Sequence, residues 1–416
     1  MGPVARLLAH LPPDVDAAAV RSGRQAIVGA VPAEVVGASG ADAFARLDTL
    51  EPGWWAGFAS YDLGQAVERI AARTGGGSDE PPDLLLARFP ARAVVDLATG
   101  AVDVTGDGPG RPLLEDAARR AEPPLHRPVD ATAIVAPRWG SSLDRSAFEA
   151  SVGAILELIR AGDCYQVNLT RRLTGAVALD PVALFGALEA RNPAPHAAFV
   201  RVGVARGRAP LAVVSASPEC FLRWKDRDVE TRPIKGTAHD AGALRASAKD
   251  RAENVMIVDL ARNDLGRVCE PGSITVPSLC ALETHPGLHH LVSTVRGRRR
   301  ASIGIGALLR ATFPPASVTG APKPRVLQII EDLEPVRRGV YCGAVGWIDT
   351  ERDAGELAVA IRTFTVVPGA THLGVGAGIV ADSNPAAEWA ETELKAARLL
   401  ACAADASRAP AHALAS

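Results

Sequence analysis

An α+β fold, with a mixed and mainly antiparallel sheet core and helices outside it, is what this sequence predicts, on three observations. Strand-like runs outnumber helical ones, they tend to follow one another directly, and no regular βαβ alternation is present. The early chain mixes short strand-like runs (QAIVGAVPAEVV, AVVDLATGAVDVTG) with turns rich in Gly and Pro. The segment RAEPPLHRPVDATAIVAPRWGSS then carries many turn formers and little periodicity, which reads as a surface linker. A region 1–125 is therefore expected to precede a larger region 126–405, with 406–416 a disordered tail.

The helices announce themselves by period and punctuation. DRSAFEASVGAILELIRAGD has an Asp start, apolar residues at three-four spacing and a Gly stop. Strand-like runs follow: CYQVNLTRRLTG, HAAFVRVG, LAVVSASPECFLRW and DVETRPI. ASAKDRAENVMIVDLARNDLG then reads as a second helix, with Val255, Ile257, Val258 and Leu260 as its apolar stripe. GVYCGAVGWID, ELAVAIRTFTVV and THLGVGAGIVADS read as strands before a final helix, NPAAEWAETELKAARLLACAA.

Composition narrows the class of function. With 416 residues, 48% hydrophobic and 22% charged, the chain can bury a large core. A net charge of −2 with interspersed signs leaves no footprint for nucleic acid or an anionic membrane, so the expected partner is a small molecule. Six cysteines lie scattered without a CxxC pair, and the N-terminus lacks the layout of a secretory signal. Reduced thiols and a cytoplasmic location are expected. No apolar run approaches the roughly 20 residues of a membrane span.

Chemistry concentrates in a few segments. In TRPIKGT, Lys235 reads either as a solvated surface lysine or as a nucleophile whose amine is freed by low polarity or neighbouring cations. In SASPECFLRW, Glu219 follows a proline at the end of an apolar run, where it either caps a turn or donates a proton. Together the two offer what displacement of a hydroxide leaving group requires. Two carboxylate pairs at i, i+3 spacing, Asp250 with Glu253 and Glu388 with Glu391, each share a helix face. They either offset the helix dipole or, brought together, hold a hard divalent cation. GVGAGI departs from the dinucleotide fingerprint, and its glycines read better as letting backbone N–H groups approach a carboxylate. His290, Thr319, Lys323, Tyr341 and Arg362 complete the candidates; a guanidinium suits a substrate carboxylate. No His/Cys cluster has zinc spacing and no G-x-S-x-G is present.

GDCYQVNLTRR, SASPECFLRW, RPIKGT, DRAENVMIVDLARNDLGRVCEPGSI, HHLVSTVRG, TFPPASVTGAPK, YCGAVGWID, AIRTF and GAGIVADSNPAAEWAETELKA, in that order, resemble the motifs of the chorismate-utilising enzymes. GWWAGFASYDLG resembles the N-terminal region of the members that use amide nitrogen. The resemblance implies a central β-sandwich with helices outside and chorismate in a deep cleft. It implies Glu253, Glu391 and Glu388 as magnesium ligands, and Arg362, Tyr341, Gly376, Ala377 and Gly378 around the enolpyruvyl carboxylate. It also implies Thr237 and His290 beside a catalytic Lys235 and Glu219, with Gln166, Gly236, Thr319 and Lys395 contacting substrate.

Two positions choose the reaction within that family. Isochorismate and salicylate synthases carry a water-activating lysine where this chain has Gln166, and anthranilate synthases typically carry alanine where it has Lys235. Aminodeoxychorismate synthases carry lysine there. The resemblance therefore implies amination of chorismate at C4, with ammonia free or supplied by a separate glutamine amidotransferase subunit, and a further lyase as another protein. An anthranilate synthase large subunit is the nearest rival, and a non-catalytic chorismate- or tryptophan-binding regulator is the rival of another class.

Overall fold

The computed structural model describes residues 1–68, 70, 81–121, 138–203, 210–285 and 288–408. The expected boundary at 125/126 and residues 409–416 lie outside the described residues. Two sheets form the body. The first runs in the order Gly320–Ala321, Gln166–Gly175, Ala370–Ile379, Thr363–Val367, Leu211–Ser217, His196–Val202, Ala17–Ser22, Gln25–Ala30, Arg92–Asp96, Val102–Thr105, with Trp139–Ser141 added on Gln166–Gly175. The second runs Ile234–Ala238, Leu288–Arg298, Asp228–Arg232, Cys220–Lys225, Ala354–Val359, Ala344–Asp349, Trp54–Ala59, Leu84–Arg88, Glu34–Ala38, with Thr275–His285 added on Leu288–Arg298. Each pairing between these strands is antiparallel, where the sequence had allowed a mixed sheet. Strands from before residue 122 enter both sheets, so the early region shares the core of the rest.

The sheets pack face to face through Val20, Trp54, Phe58, Leu85, Phe89, Val200, Val213 and Val345, all buried. Helices Pro3–Ala9, Gly110–Arg120, Pro181–Arg191 and Pro385–Arg408 bury their apolar sides against the other face of the first sheet. Asp42–Leu47, Ala248–Gly266, Ile305–Thr312 and Lys323–Leu333 join a core on the other face of the second. This is the expected sandwich with helices outside.

Two expected strands are each split, and the splits build the site. LAVVSASPECFLRW becomes Leu211–Ser217 in the first sheet and Cys220–Lys225 in the second. ELAVAIRTFTVV becomes Ala354–Val359 in the second and Thr363–Val367 in the first. The two crossings run side by side, because each strand pairs with its counterpart in both sheets. Val359 N–H donates to Glu219 O at 3.0 Å, Ala216 N–H to Arg362 O at 3.0 Å, and the Ser217 hydroxyl to Val359 O at 2.6 Å. Arg362 takes φ of 51° at its crossing, a left-handed backbone uncommon outside glycine.

Local signals explain the helices. Asp144 caps Arg145–Arg160 by accepting from Ala147 N–H, and Ser247 caps Ala248–Gly266 by accepting from Asp250 N–H. The stripe expected on the latter is corrected: Val255 is 47% exposed, and the buried face is Asn254, Ile257, Val258, Ala261, Asp264 and Leu265. Asn254 can be buried because its amide donates to Leu291 O at 3.1 Å and its carbonyl accepts from the Ser293 hydroxyl at 2.5 Å. The last helix continues past residue 405 to Arg408, since Ala403 and Ala406 extend its buried stripe. No helix among the described residues is long and apolar enough to cross a membrane, and all six cysteines are free and buried.

Phe58→Ala removes a fully buried ring between the sheets and should cost about 3–5 kcal/mol, read as a lower midpoint in urea unfolding.

Candidate active site

On one side of the paired crossings the sheets pack on each other; on the other they continue as separate walls. The first sheet leads to Ala370–Ile379, Gln166–Gly175 and Gly320–Ala321, the second to Asp228–Arg232, Leu288–Arg298 and Ile234–Ala238. Gln166, Thr319, Gly376 and Gly378 lie on or beside the first wall, and Lys235, Gly236, Thr237 and His290 on the second. The walls come close enough that a Cβ at Gly378 would sit 3.3 Å from Gln166 Nε2 and 3.4 Å from Lys235 Nζ. A Cβ there would press on the Gln166 amide and reach ordinary contact with the Lys235 amine.

Lys235 is the centre of charge. Burial drives its pKa below the ordinary lysine value, and Lys395 adds to that, while Glu253, Glu219 and Glu391 oppose it. The residue therefore lies among three carboxylates that attract its cation and a hollow that disfavours it. Glu219, 4% exposed at its crossing, is pushed up to about 7, chiefly by burial. The Ser317 hydroxyl, Lys235 and the Ile234 N–H pull the other way. A carboxyl raised toward neutrality and an amine lowered from its ordinary value, within electrostatic reach of each other, suit acid–nucleophile chemistry.

Supporting groups hold the second wall. His290 Nδ1 and the Thr237 hydroxyl are 2.8 Å apart across directly paired residues, with His290 buried and Thr237 exposed. Gly236 takes φ of 82°, and a Cβ there would meet Asp250 Cβ at 2.9 Å, so the loop of backbone carrying Lys235 packs on the carboxylate helix.

Helices Ala248–Gly266 and Pro385–Arg408 bring Glu253, Glu388 and Glu391 into one electrostatic cluster. Glu253 is raised first by burial and further by Asp250 and Glu391; Glu388 is raised by burial and by Glu391. Glu391 is instead lowered, with Lys395 Nζ 2.6 Å from its Oε1. Lys249 lies 3.9 Å from Glu253 and acts on all three carboxylates, and the Ser383 hydroxyl donates to Glu388 at 2.6 Å. No three His, Cys, Asp or Glu side chains among the described residues are already gathered as a metal cage. The donor set still fits a hard divalent cation: oxygen ligands only, mutually repelling, with lysines now supplying the positive charge.

The remaining candidates divide. Gln166 is fully buried with both amide atoms unpartnered, so it has hydrogen bonds to offer a ligand. Arg362 carries a guanidinium lowered by burial and by Arg398, with no carboxylate among the described residues within ion-pair distance. Tyr341 packs its ring on Gly374, where a Cβ would be 2.1 Å from it, and burial raises its phenol well above the ordinary value. Lys395 donates to Gly376 O at 3.0 Å, tying the final helix to the glycine strand. The Thr319 hydroxyl already donates to Pro315 O at 2.9 Å, and the Ala377 side chain is in the core, leaving only its backbone for a ligand. Lys323 is not at the cleft: it is buried against Asp264 at 2.7 Å. Sequence reasoning passed over Ser317, Lys249 and Ser383. Ser317 lay inside the quoted PPASVTGAPK, but a lone serine carries no signal of which carboxyl it faces.

Residues 19–401 match the family model described as chorismate binding enzyme. The chain belongs to the chorismate binding enzyme family. This family member is 40% identical over 355 residues to aminodeoxychorismate synthase component 1 of Klebsiella aerogenes, a match spanning 83% of this chain and 76% of that protein. It is 36% identical over 360 residues to anthranilate synthase component 1 of Pseudomonas aeruginosa, spanning 81% and 72%. Among solved structures, anthranilate synthase component I from Streptococcus pneumoniae superposes with a TM-score of 0.76 at 27% identity, covering 91% of this chain and 92% of that one.

The Glu219 shift has a stability consequence in this chorismate-binding enzyme. A carboxyl raised by folding stabilises the fold fully below its unfolded pKa, near 4.3, and that contribution is lost as pH rises through about 7. Glu219→Gln should therefore be more stable than the parent at pH 8, by on the order of 3 kcal/mol, and close to it at pH 4, as read by denaturant midpoints at the two pH values.

Proposed function

We propose that this chain is a magnesium-dependent component I of aminodeoxychorismate synthase, replacing the 4-hydroxyl of chorismate with an amino group. The observation that carries the reading is Lys235, an amine depressed by burial, placed in one cleft with the raised carboxyl of Glu219. The naming of the 40% identical relative supports it. Glu253, Glu388 and Glu391 would hold magnesium, which supplies charge stabilisation at the ring carboxylate. Arg362, with no acidic partner among the described residues, and the unpartnered amide of Gln166 would orient the other polar groups of the substrate.

The steps follow from the two central groups. The Lys235 lone pair bonds to C2, the ring double bonds shift, and the C4–O bond breaks, with the oxygen leaving as water on the Glu219 proton. Ammonia then bonds to C4, the double bonds shift back, and the C2–N bond breaks, returning its pair to Lys235. The enolpyruvyl group is retained. Fixing the ring between Arg362 and the carboxylate cluster allows orientation to supply a large share of the barrier reduction, up to about 7–11 kcal/mol in favourable cases. The "component 1" in the relative's name supports a separate glutamine-using subunit as the source of ammonia. Six free, buried thiols support a cytoplasmic setting.

Incubation with chorismate, magnesium and ammonium should give 4-amino-4-deoxychorismate by mass; a fluorescent aromatic product formed without an added lyase would instead identify an anthranilate synthase. Lys235→Ala should lower C4 amination by at least about 100-fold, the usual scale for a lost nucleophile or acid–base group. A near-normal rate would remove the covalent step. Isothermal titration of magnesium into Glu253→Gln and Glu391→Gln should show weakened binding, and unchanged affinity would take these side chains out of the metal site.

A further inference from the structure

Glu219 also lines a small cavity bounded by Ser317, Asp264, Thr312, Ile257 and Leu265. Two buried polar atoms of this lining make no hydrogen bond of normal geometry: Asp264 Oδ1 and Ser317 Oγ, on residues 3% and 7% exposed, the hydroxyl lying near enough to Glu219 to lower its pKa without a well-formed bond. The other Asp264 oxygen is committed, accepting from Lys323 Nζ at 2.7 Å, and the same ammonium donates to Thr312 O at 3.1 Å. Measured to the centre of a water-sized sphere, the cavity offers about 20 Å³. One water needs roughly 10–15 Å³ on that measure, together with two to four polar partners. An apolar hollow of this size would stay dry. This one has residues with polar side chains in its lining, Ser317, Asp264 and Glu219 among them.

We infer that the cavity is a built site for one internal water between Ser317 and Asp264, and that these two side chains are positioning residues for the proton on Glu219. The inference rests on the reading of Glu219 as the proton donor. The water donates to Asp264 Oδ1 and accepts from or donates to the Ser317 hydroxyl, so Ser317 is held against the Glu219 carboxyl. When Glu219 has given its proton to the leaving oxygen, the hydroxyl donates to the carboxylate left behind. There it adds to the pull of Lys235 and the Ile234 N–H toward the ionised form. The charged groups around Glu219 are Lys235 from strand Ile234–Ala238, Asp264 from helix Ala248–Gly266 and, behind Asp264, Lys323 from helix Lys323–Leu333. The Ser317 hydroxyl and Lys235 favour the ionised form and burial opposes it, so loss of the hydroxyl raises the Glu219 pKa.

The experiment reads the carboxyl directly. In protein carrying ¹³C-labelled glutamate, the Glu219 signal is assigned by its loss in Glu219→Gln and followed against pH. Ser317→Ala should move its midpoint upward by about one pH unit, the scale of one hydrogen bond to a charged group, and Ser317→Thr should restore it. A crystal structure of the parent should show one water within hydrogen-bonding distance of both Ser317 Oγ and Asp264 Oδ1. Asp264→Asn paired with Lys323→Met, which removes both charges together and so avoids a lone buried ion, should displace or disorder that water. An unmoved midpoint in Ser317→Ala, or a dry cavity in the parent, would overturn the inference. Neither readout needs turnover, so failure of the amination assay would sink the proposed function without deciding this one.

Discussion

Everything at the cleft depends on two strands leaving one sheet for the other at the same place. At Ser217–Cys220 and at Val359–Thr363 the chain passes between sheets, and the two passages are laced by backbone bonds and by the Ser217 hydroxyl. The lacing ties the two crossings together, and Glu219 and Arg362 lie there outside the regular strands. On one side of it the sheets exclude water through a shared apolar core. On the other they become the separate walls that carry Lys235 and Gln166 toward each other.

That geometry sets the electrostatics. Burial alone drives an amine down and a carboxyl up, so placing Lys235 and Glu219 in one low-polarity cleft brings their proton affinities toward each other. The carboxylates of Glu253 and Glu391 oppose the lowering of the amine, and Lys395 offsets them while fastening the last helix to the Gly376 carbonyl. The arrangement costs stability near neutral pH, where Glu219 must either keep its proton or hold an ion away from water. A site of this kind needs a stiff surround, and the two packed sheets supply it.

Much of the fold and site was legible because its signals are local. The Asp144 cap and the three-four spacing after it mark Arg145–Arg160, and the i, i+3 carboxylates mark the two helices that meet at the cleft. The motif order was enough to bring Lys235, Glu219, Glu253 and Glu391 together as one set of expectations, and the structure places them within electrostatic reach. What misled was also local. An apolar run does not reveal that it changes sheets midway, so LAVVSASPECFLRW and ELAVAIRTFTVV each read as one strand. Val255 looked like core while Asn254 beside it did not, because the partners that satisfy Asn254 come from a strand far along the chain.

Residue type and spacing by themselves determined the α+β class, the antiparallel bias, the helix ends and an inventory that held two candidate lysines, one lone glutamate and two carboxylate pairs. Tertiary structure alone decided which of these face each other, and it decided it through burial. Lys323 is a lysine too, but it is ion-paired with Asp264 in the interior, whereas Lys235 lies opposite Gly378 among the carboxylates of the cleft. A side chain's charge is written in its own residue; its proton affinity belongs to the solvent that the rest of the chain removes.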